Sequence, residues 1–242
     1  SCLTSNPSGW TNKGGWTNWN LSGYSARTVE RGSTRVAVKT DLRLDWCSYE
    51  AAKYAVEHWH YSRCMPVGKL VKIGVWEAGQ FIGCVLFGRG ANNHIGQPYG
   101  LTQNECCELV RVALSEHVSP VTRIVACALR FLRSQSPGIR LVVSYADPEQ
   151  GHVGSIYQAG NWLYVGTSCA QADVMYKGVK MHKRTAMSKF GSAAGMVSSA
   201  VFYKLKYLMP LDDAMRKQIE PLRQPYPKRP PDRGALANEG RR

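Results

Sequence analysis

The chain has 242 residues, 44% of them hydrophobic, enough for the core of one large domain or two small ones. No apolar run approaches the roughly 20 residues that a membrane-spanning helix requires, and residues 1–23 lack the charged region and apolar core of a secretory signal. The net charge of +14 is uneven: Tyr176 to Arg242 carries 15 basic and 5 acidic residues, whereas the first 175 residues carry 16 and 12. A concentrated excess of this kind marks a polyanion partner. Nucleic acid is favoured over an anionic membrane, because the proline-rich end makes no basic amphipathic helix.

Residues 1–33 are rich in Gly, Ser, Asn and Trp and repeat Gly-Trp-Thr-Asn at 9–12 and 15–18, which reads as an arm without helical or strand period. Its aromatics Trp10, Trp16, Trp19 and Tyr24 could stack on bases or staple the arm to the core. Thr34 to Leu44 alternates as a strand does. Ser48 is placed to cap a helix running to about Trp59, with Ala51, Ala52, Ala55 and Val56 on one face. Lys69–Trp76 and Gln80–Phe87 read as two strands joined by a Glu-Ala-Gly turn. A polar loop, Ala91–Gln103, leads to an apolar strand, Cys107–Leu114, that is broken only by Arg111.

Ser119-Pro120 then opens a helix whose buried face is Val121, Ile124, Val125, Ala128, Leu129 and Leu132, stopped by Pro137-Gly138. Leu141-Val142-Val143 begins a buried strand that ends before Asp147-Pro148. A short helix follows to Ala159, ends at Gly160-Asn161 and gives way to a strand at Trp162–Val165. Val174–His182 adds a last strand, Met187–Met209 reads as mainly helical, and Leu211–Arg242 as a flexible basic tail. The alternation implies an α/β (α+β) fold with one mixed sheet flanked by helices. The expected organisation is an arm at 1–33, a catalytic domain at 34–185, a helical extension at 186–222 and a tail at 223–242. The eight cysteines form no C-x-x-C pair and read as reduced thiols, with Cys84 and Cys127 as small buried hydrophobes.

Asp147 stands at the carboxyl end of a strand and Tyr157 on the helix after it. Open α/β sheets place ligand chemistry at that edge, and a carboxylate and a phenol can both move protons there. The strand end favours a functional Asp147 over one that caps its loop, whereas Tyr157 is equally suited to pack as a half-buried aromatic. Arg111, inside an apolar strand, must pair with Glu108 or Glu105 or face a ligand. His60-Tyr61-Ser62 follows the first helix, and His60, Tyr61 and Asp147 would make an N/O donor set for iron or another divalent metal. His58 and His152 read as structural.

The element order resembles the GCN5-related N-acetyltransferase (GNAT) fold. That resemblance implies that the strands at Cys107–Leu114 and Ile139–Ala146 splay apart to admit an acyl donor, with Tyr157 in the place of a frequent general acid. A narrower series of motifs, His60-Tyr61-Ser62-Arg63 with Met65-Pro66, Phe87-Gly88-Arg89-Gly90-Ala91, Glu108-Leu109-Val110-Arg111, Ala146-Asp147-Pro148 and Gly151-His152-Val153-Gly154 with Ile156-Tyr157-Gln158-Ala159, resembles the bacteriophage Mom family. It covers about residues 55–210. The resemblance implies a phage-encoded enzyme of the host cytoplasm. Such an enzyme places a carbamoylmethyl or acetamido-type group on adenine N6 and protects phage DNA from restriction.

Acetyltransferases of this fold cradle the coenzyme A pyrophosphate with glycines after the fourth strand. Here Ser115–Arg123 contains none, although Ser119, Thr122 and Arg123, with Arg111, could hold donor phosphates. The donor is then an acyl-coenzyme A or an aminoacyl-tRNA, the second making tRNA a partner. Adenine N6 is hidden in a duplex, so the base must be flipped out, with Tyr61, Tyr99 or an arm tryptophan to stack on it. Lys180, Lys183, Arg184, Lys189, Lys228 and Arg229 are the candidate phosphate contacts. Two other readings stay open: an acyl- or aminoacyltransferase acting on another amine, and a nonenzymatic DNA-binding protein.

Overall fold

Local signals in the chain lay down the first half of a central sheet. The computed structural model describes residues 41–90, 94–168, 171–176, 179–182, 186–187, 190–191 and 195–228. The expected arm and the start of the first strand lie outside them. Strand β1 (Leu42–Trp46) leads to helix α1 (Tyr49–Trp59), where Ser48 Oγ accepts the Ala51 N–H at 3.1 Å. β2 (Leu70–Glu77) and β3 (Gln80–Gly88) form a hairpin through Ala78 and Gly79. Both turn residues have positive φ, 50° and 79°, the twist that a two-residue hairpin needs.

β4 (Cys106–Leu114) is followed by α2 (Val121–Gln135), β5 (Leu141–Ala146), α3 (Ser155–Ala159) and β6 (Leu163–Thr167). Ile124, Val125, Ala128, Leu129 and Leu132 of α2 are buried against one face of the sheet, together with Tyr157 of α3. On the opposite face Ala52, Ala55 and Val56 of α1 cover Cys84, Leu86 and Ala113.

The second half departs from expectation. Residues 171–182 form two strands, β7 (Gln171–Tyr176) and β8 (Val179–His182), and about half of the stretch expected to be helical forms β9 (Val197–Phe202) and β10 (Leu205–Pro210). The central sheet has the order β1-β2-β3-β4-β5-β10-β6, and β8-β7-β9 make a separate three-stranded sheet. The unit that holds the central sheet therefore runs past residue 185. Tyr207 and Leu208 are both fully buried, one in the cluster under α2 and α3, the other in the cluster under α4 (Asp213–Ile219). A strand buried on both faces has no apolar–polar alternation to reveal it. The expected tail is anchored at its start: Gln224 N–H donates to the Tyr164 carbonyl at 2.8 Å and the Tyr226 hydroxyl to the Trp162 carbonyl at 2.7 Å.

Two irregularities shape the middle of the sheet. Leu86 pairs with Arg111 but Phe87 with Leu109, so Val110 is an extra residue that bends β4. The parallel β4–β5 ladder covers only Cys106–Glu108 against Leu141–Val143, although both strands continue. Past Glu108 they part, as the resemblance to splayed strands implied.

Asp212 links the edge of this sheet to α4. It accepts the Met215 N–H at 2.7 Å as a helix cap and pairs with Arg140 at 2.9 Å. Asp212→Ala is expected to lower unfolding stability by about 1–3 kcal/mol in a denaturant titration.

Candidate functional site

Groups from four elements surround the place where β4 and β5 stop pairing. Ser144 of β5 donates to the Leu109 carbonyl of β4 at 2.9 Å and stands 2.7 Å from the Tyr157 hydroxyl oxygen. A carbonyl only accepts, and Ser144 has one hydrogen, so the phenol is the donor to Ser144. Tyr157 is 8% exposed, and its ring lies 5.0 Å from Trp162 and 5.1 Å from Tyr207. Burial pushes the phenol up to about 12 despite the Ser144 contact, so it holds its proton at neutral pH.

The Tyr207 hydroxyl donates to the Val153 carbonyl at 2.6 Å and fixes the loop before α3. Gly154, at φ 78°, lets that loop pass: a Cβ there would stand inside the Tyr207 ring.

On the α1 side, His60 and Tyr61 follow the helix end. Ser62 N–H donates to His60 Nδ1 at 3.1 Å and Ser62 Oγ lies 2.8 Å from the same nitrogen. The three sequence candidates at 60–62 thus form one hydrogen-bonded turn. Burial, then the nearby Arg111 and His152 charges, lower His60 to about 4, so the imidazole is neutral. Tyr61, 55% exposed, stacks loosely on His60 at 4.3 Å and meets His152 edge-on at 5.2 Å. Burial raises the Tyr61 phenol pKa, with Arg111 opposing and Asp147 adding to it. Tyr157 also feels Tyr61 through its field. Tyr61, Arg111, Asp147 and Tyr157 therefore share one electrostatic neighbourhood, joined by His60 and His152.

The Arg111 Nη1 donates to the Val110 carbonyl at 2.7 Å, and its Nε is buried with no partner. Among the described residues no carboxylate pairs with it, and Glu105 is occupied by Thr102. The pairing reading is thus set aside. Asp147 does cap its loop, accepting the Glu149 N–H at 3.1 Å, and its other oxygen lies 3.9 Å from Lys204 Nζ. Ser144, His152 and Lys204 were not singled out as site residues. Ser144 sits in a buried run, and Lys204 reaches Asp147 only through the unforeseen strand β10.

The β4–α2 junction does not fit a coenzyme A pyrophosphate. The Glu77 carboxylate accepts the Val118 N–H at 2.7 Å and the Ser119 N–H at 2.8 Å. Burial pushes Glu77 up, but bonds from Ser119 and Val118 and the nearby His117 hold it below the usual carboxylate range. An anion is thus already built into the position where a phosphate would approach. Ser119, 2% exposed, faces Glu77 rather than a ligand, contrary to expectation. Thr122 is half-buried and Arg123 exposed on the first turn of α2.

The donor set does not fit an iron centre as it stands. No three His, Cys, Asp or Glu side chains converge among the described residues. A third ligand would have to be the Tyr61 phenolate, the form that burial disfavours.

One concavity lies beside the site. A cavity of about 330 Å³ opens between Pro66–Leu70, Gly88–Gly90, Gln103 and Val110 and borders the site only through the bulge. Of the expected phosphate contacts, Lys180 lies on β8 and Lys228 is exposed. Lys183, Arg184, Lys189 and Arg229 lie outside the described residues. No helix among the described residues is long and apolar enough to cross a membrane.

Two measurements check this geometry. Gly154→Ala should displace Tyr207 and with it Tyr157, lowering the melting temperature by several degrees, on the order of a 1–3 kcal/mol loss. The folded His60 pKa lies below its ordinary value, so the stability it contributes is present at neutral pH. That contribution is lost as pH falls from about 6.5 to about 4. Its ring proton resonances should titrate near 4 in an NMR series, and Arg111→Gln should move the midpoint part of the way back up. A His60 midpoint near 6.5 in the unaltered protein would contradict the buried setting.

The methylcarbamoylase Mom of Escherichia phage Mu is 28% identical over 148 residues, 60% of this chain and 59% of that protein. The match spans about three fifths of the relative's length. Among solved structures, FeeM, an N-acyl amino acid synthase from uncultured soil microbes, has a TM-score of 0.43 at 11% identity, covering 75% of this chain and 96% of that one. A Chromobacterium violaceum protein assigned to the GNAT family has a TM-score of 0.42 at 11% identity, covering 83% and 97%. The model of the Mom protein family matches residues 41–228, which hold the whole central sheet, the gap and its lining groups, and this chain belongs to that family.

Proposed function

We propose that this protein transfers a small amide-bearing group, of carbamoylmethyl or acetamido type, to the exocyclic N6 of adenine in phage DNA. What supports the reading is the shared electrostatic neighbourhood in which Tyr61 feels Arg111 and Asp147 and in turn acts on Tyr157, beside the place where β4 and β5 stop pairing. The N6 lone pair is delocalised into the purine ring, so the amine must be held against its electrophile and relieved of a proton.

In this reading Asp147, held between the Glu149 N–H and Lys204, orients N6 and takes that proton. A new bond forms from N6 to the donor carbon as the bond from that carbon to its leaving group breaks. Tyr157, protonated at neutral pH, gives a proton to the leaving group and regains one through Ser144 or solvent. Arg111 faces negative charge developing on the donor oxygen with its unpartnered Nε. Neutral His60 and exposed Tyr61 wall the pocket, and Tyr61 stacks on the extruded base.

The donor is read as an ester of the aminoacyl-tRNA kind: N6 bonds to its carbonyl carbon as the bond to the tRNA ribose oxygen breaks. The N6-glycyl adenine so formed is an isomer of the carbamoylmethyl product and reaches it by a subsequent rearrangement. The Glu77 carboxylate at the start of α2 opposes a coenzyme A pyrophosphate, whereas the basic excess suits RNA as well as DNA. Modification of adenine in this way supports protection from host restriction nucleases.

Nucleoside mass spectrometry of DNA from expressing cells tests the reaction directly, with a modified deoxyadenosine as the expected product. Asp147→Ala and Tyr157→Phe should each reduce the modified fraction by roughly 100-fold or more while DNA affinity changes less than about threefold. Unmodified adenine in cells containing abundant folded protein would sink the reading. Full activity in both variants would leave the reaction standing and remove these two groups from it.

A further inference from the structure

The two faces of the central sheet are covered by different helices. Tyr157 lies with Ile124, Val125 and Leu132 in the cluster under α2, whereas α1, which leads into His60 and Tyr61, covers the opposite face. In the reading above Tyr157 protonates the leaving group, and that group is the ribose oxygen of an RNA. The RNA must then arrive and depart on the face that carries α2.

The outer side of α2 has the charge for such a partner. Its 15 residues hold three arginines and no acid. Arg123, Ala126, Arg130 and Arg133 are exposed, while Ile124, Val125, Ala128, Leu129 and Leu132 are buried. With 3.6 residues per turn, Arg123 and Arg130 lie about 20° apart around the axis and Arg133 within about 80° of the first. They form one row roughly 15 Å long.

This row works against the helix that carries it. Arg123 stands in the first turn, where the macrodipole disfavours a cation. Arg130 and Arg133, three residues apart, are neighbours of like charge. Arg130 Nη2 donates to Cys127 Sγ at 3.2 Å, and the acid next along the chain, Glu116, precedes the helix. Arginines placed at a cost to their own helix are explained by an anion that they bind.

An aromatic stands beside the row. Trp46, at the end of β1, meets Phe131 of α2 edge-on, with 5.2 Å between ring centres and 78° between planes, and is 50% exposed. Phe131 falls between Arg130 and Arg133. Cations for phosphates with an aromatic face beside them suit an RNA with unstacked bases better than a duplex, whose bases are stacked inside.

We propose that the outer face of α2, through Arg123, Arg130 and Arg133 with Trp46 beside them, binds the RNA that carries the donor, while duplex DNA approaches from the α1 face. This rests on the aminoacyl-ester reading above and adds the surface that holds its RNA.

Binding of the full-length protein to uncharged bulk tRNA and to a defined DNA duplex is measured against salt concentration. A triple variant, Arg123→Gln with Arg130→Gln and Arg133→Gln, keeps good helix formers at exposed positions and should retain its melting temperature. Its tRNA affinity should fall roughly tenfold or more near physiological salt. The log–log salt slope should flatten by about 0.7–0.9 for each phosphate contact removed. Duplex affinity should change less than about threefold. Trp46→Leu keeps an apolar contact with Phe131 and should weaken tRNA binding by about fivefold or more with the slope unchanged. Lys53→Gln, on the exposed side of α1, is the control and should leave tRNA binding as it is.

Unchanged tRNA affinity and slope in the triple variant overturn the proposal. So does an equal loss for the duplex, which would assign the row to DNA, or an equal tRNA loss from Lys53→Gln, which would make the effect one of overall charge. The probe is uncharged tRNA and the readout is binding, so failure of this surface is distinct from failure of the reaction, which nucleoside mass spectrometry reads.

Discussion

Parallel pairing between β4 and β5 stops after Glu108 and Val143, and the site exists because of that stop. Had the ladder continued, Tyr157 and Arg111 would lie on either side of a closed sheet. Opening a sheet exposes backbone acceptors, and a buried one left unpaired costs about 1–3 kcal/mol. Here side chains take the place of the missing ladder. Ser144 satisfies the Leu109 carbonyl and Arg111 that of Val110. The bulge at Val110 supplies the bend, so structure and chemistry draw on the same few residues.

Those residues also set the charge states around the gap. Burial keeps Tyr157 protonated, while burial with the Arg111 charge keeps His60 neutral. At neutral pH the neighbourhood of Arg111 therefore holds a phenol that keeps its proton and a neutral imidazole. Asp147 and Lys204 add a carboxylate beside an ammonium at the outer edge. Such an arrangement holds polar groups in place before any ligand arrives, which is what electrostatic stabilisation of a transition state requires.

The parts readable from sequence were those written in local chemistry. Ser48 capping α1, the turn at Ala78-Gly79, the apolar face of α2 and the Asp147–Tyr157 unit all carry their signal within a few residues. The motif at 60–62 and the charge in β4 also pointed to the same place. What escaped depends on distant partners. β10 pairs with β5 across some sixty positions and is buried on both faces, so neither spacing nor alternation marks it. Glu77 ends a strand and looked like part of a turn, yet its carboxylate serves a loop 41 residues on. Lys204 and Asp147 meet for the same reason, and no local rule joins them.

β10 has a further consequence, in the order of events during synthesis. It sits between β5 and β6, both of which leave the ribosome earlier. Until Leu205–Pro210 emerges, two sheet edges stay bare, and the nascent chain holds a half-built sheet prone to pairing with its neighbours. The native topology thus closes late, by threading a strand into the middle rather than adding one to the rim. Chains cut short before that strand would accumulate as aggregates and not as smaller folded proteins.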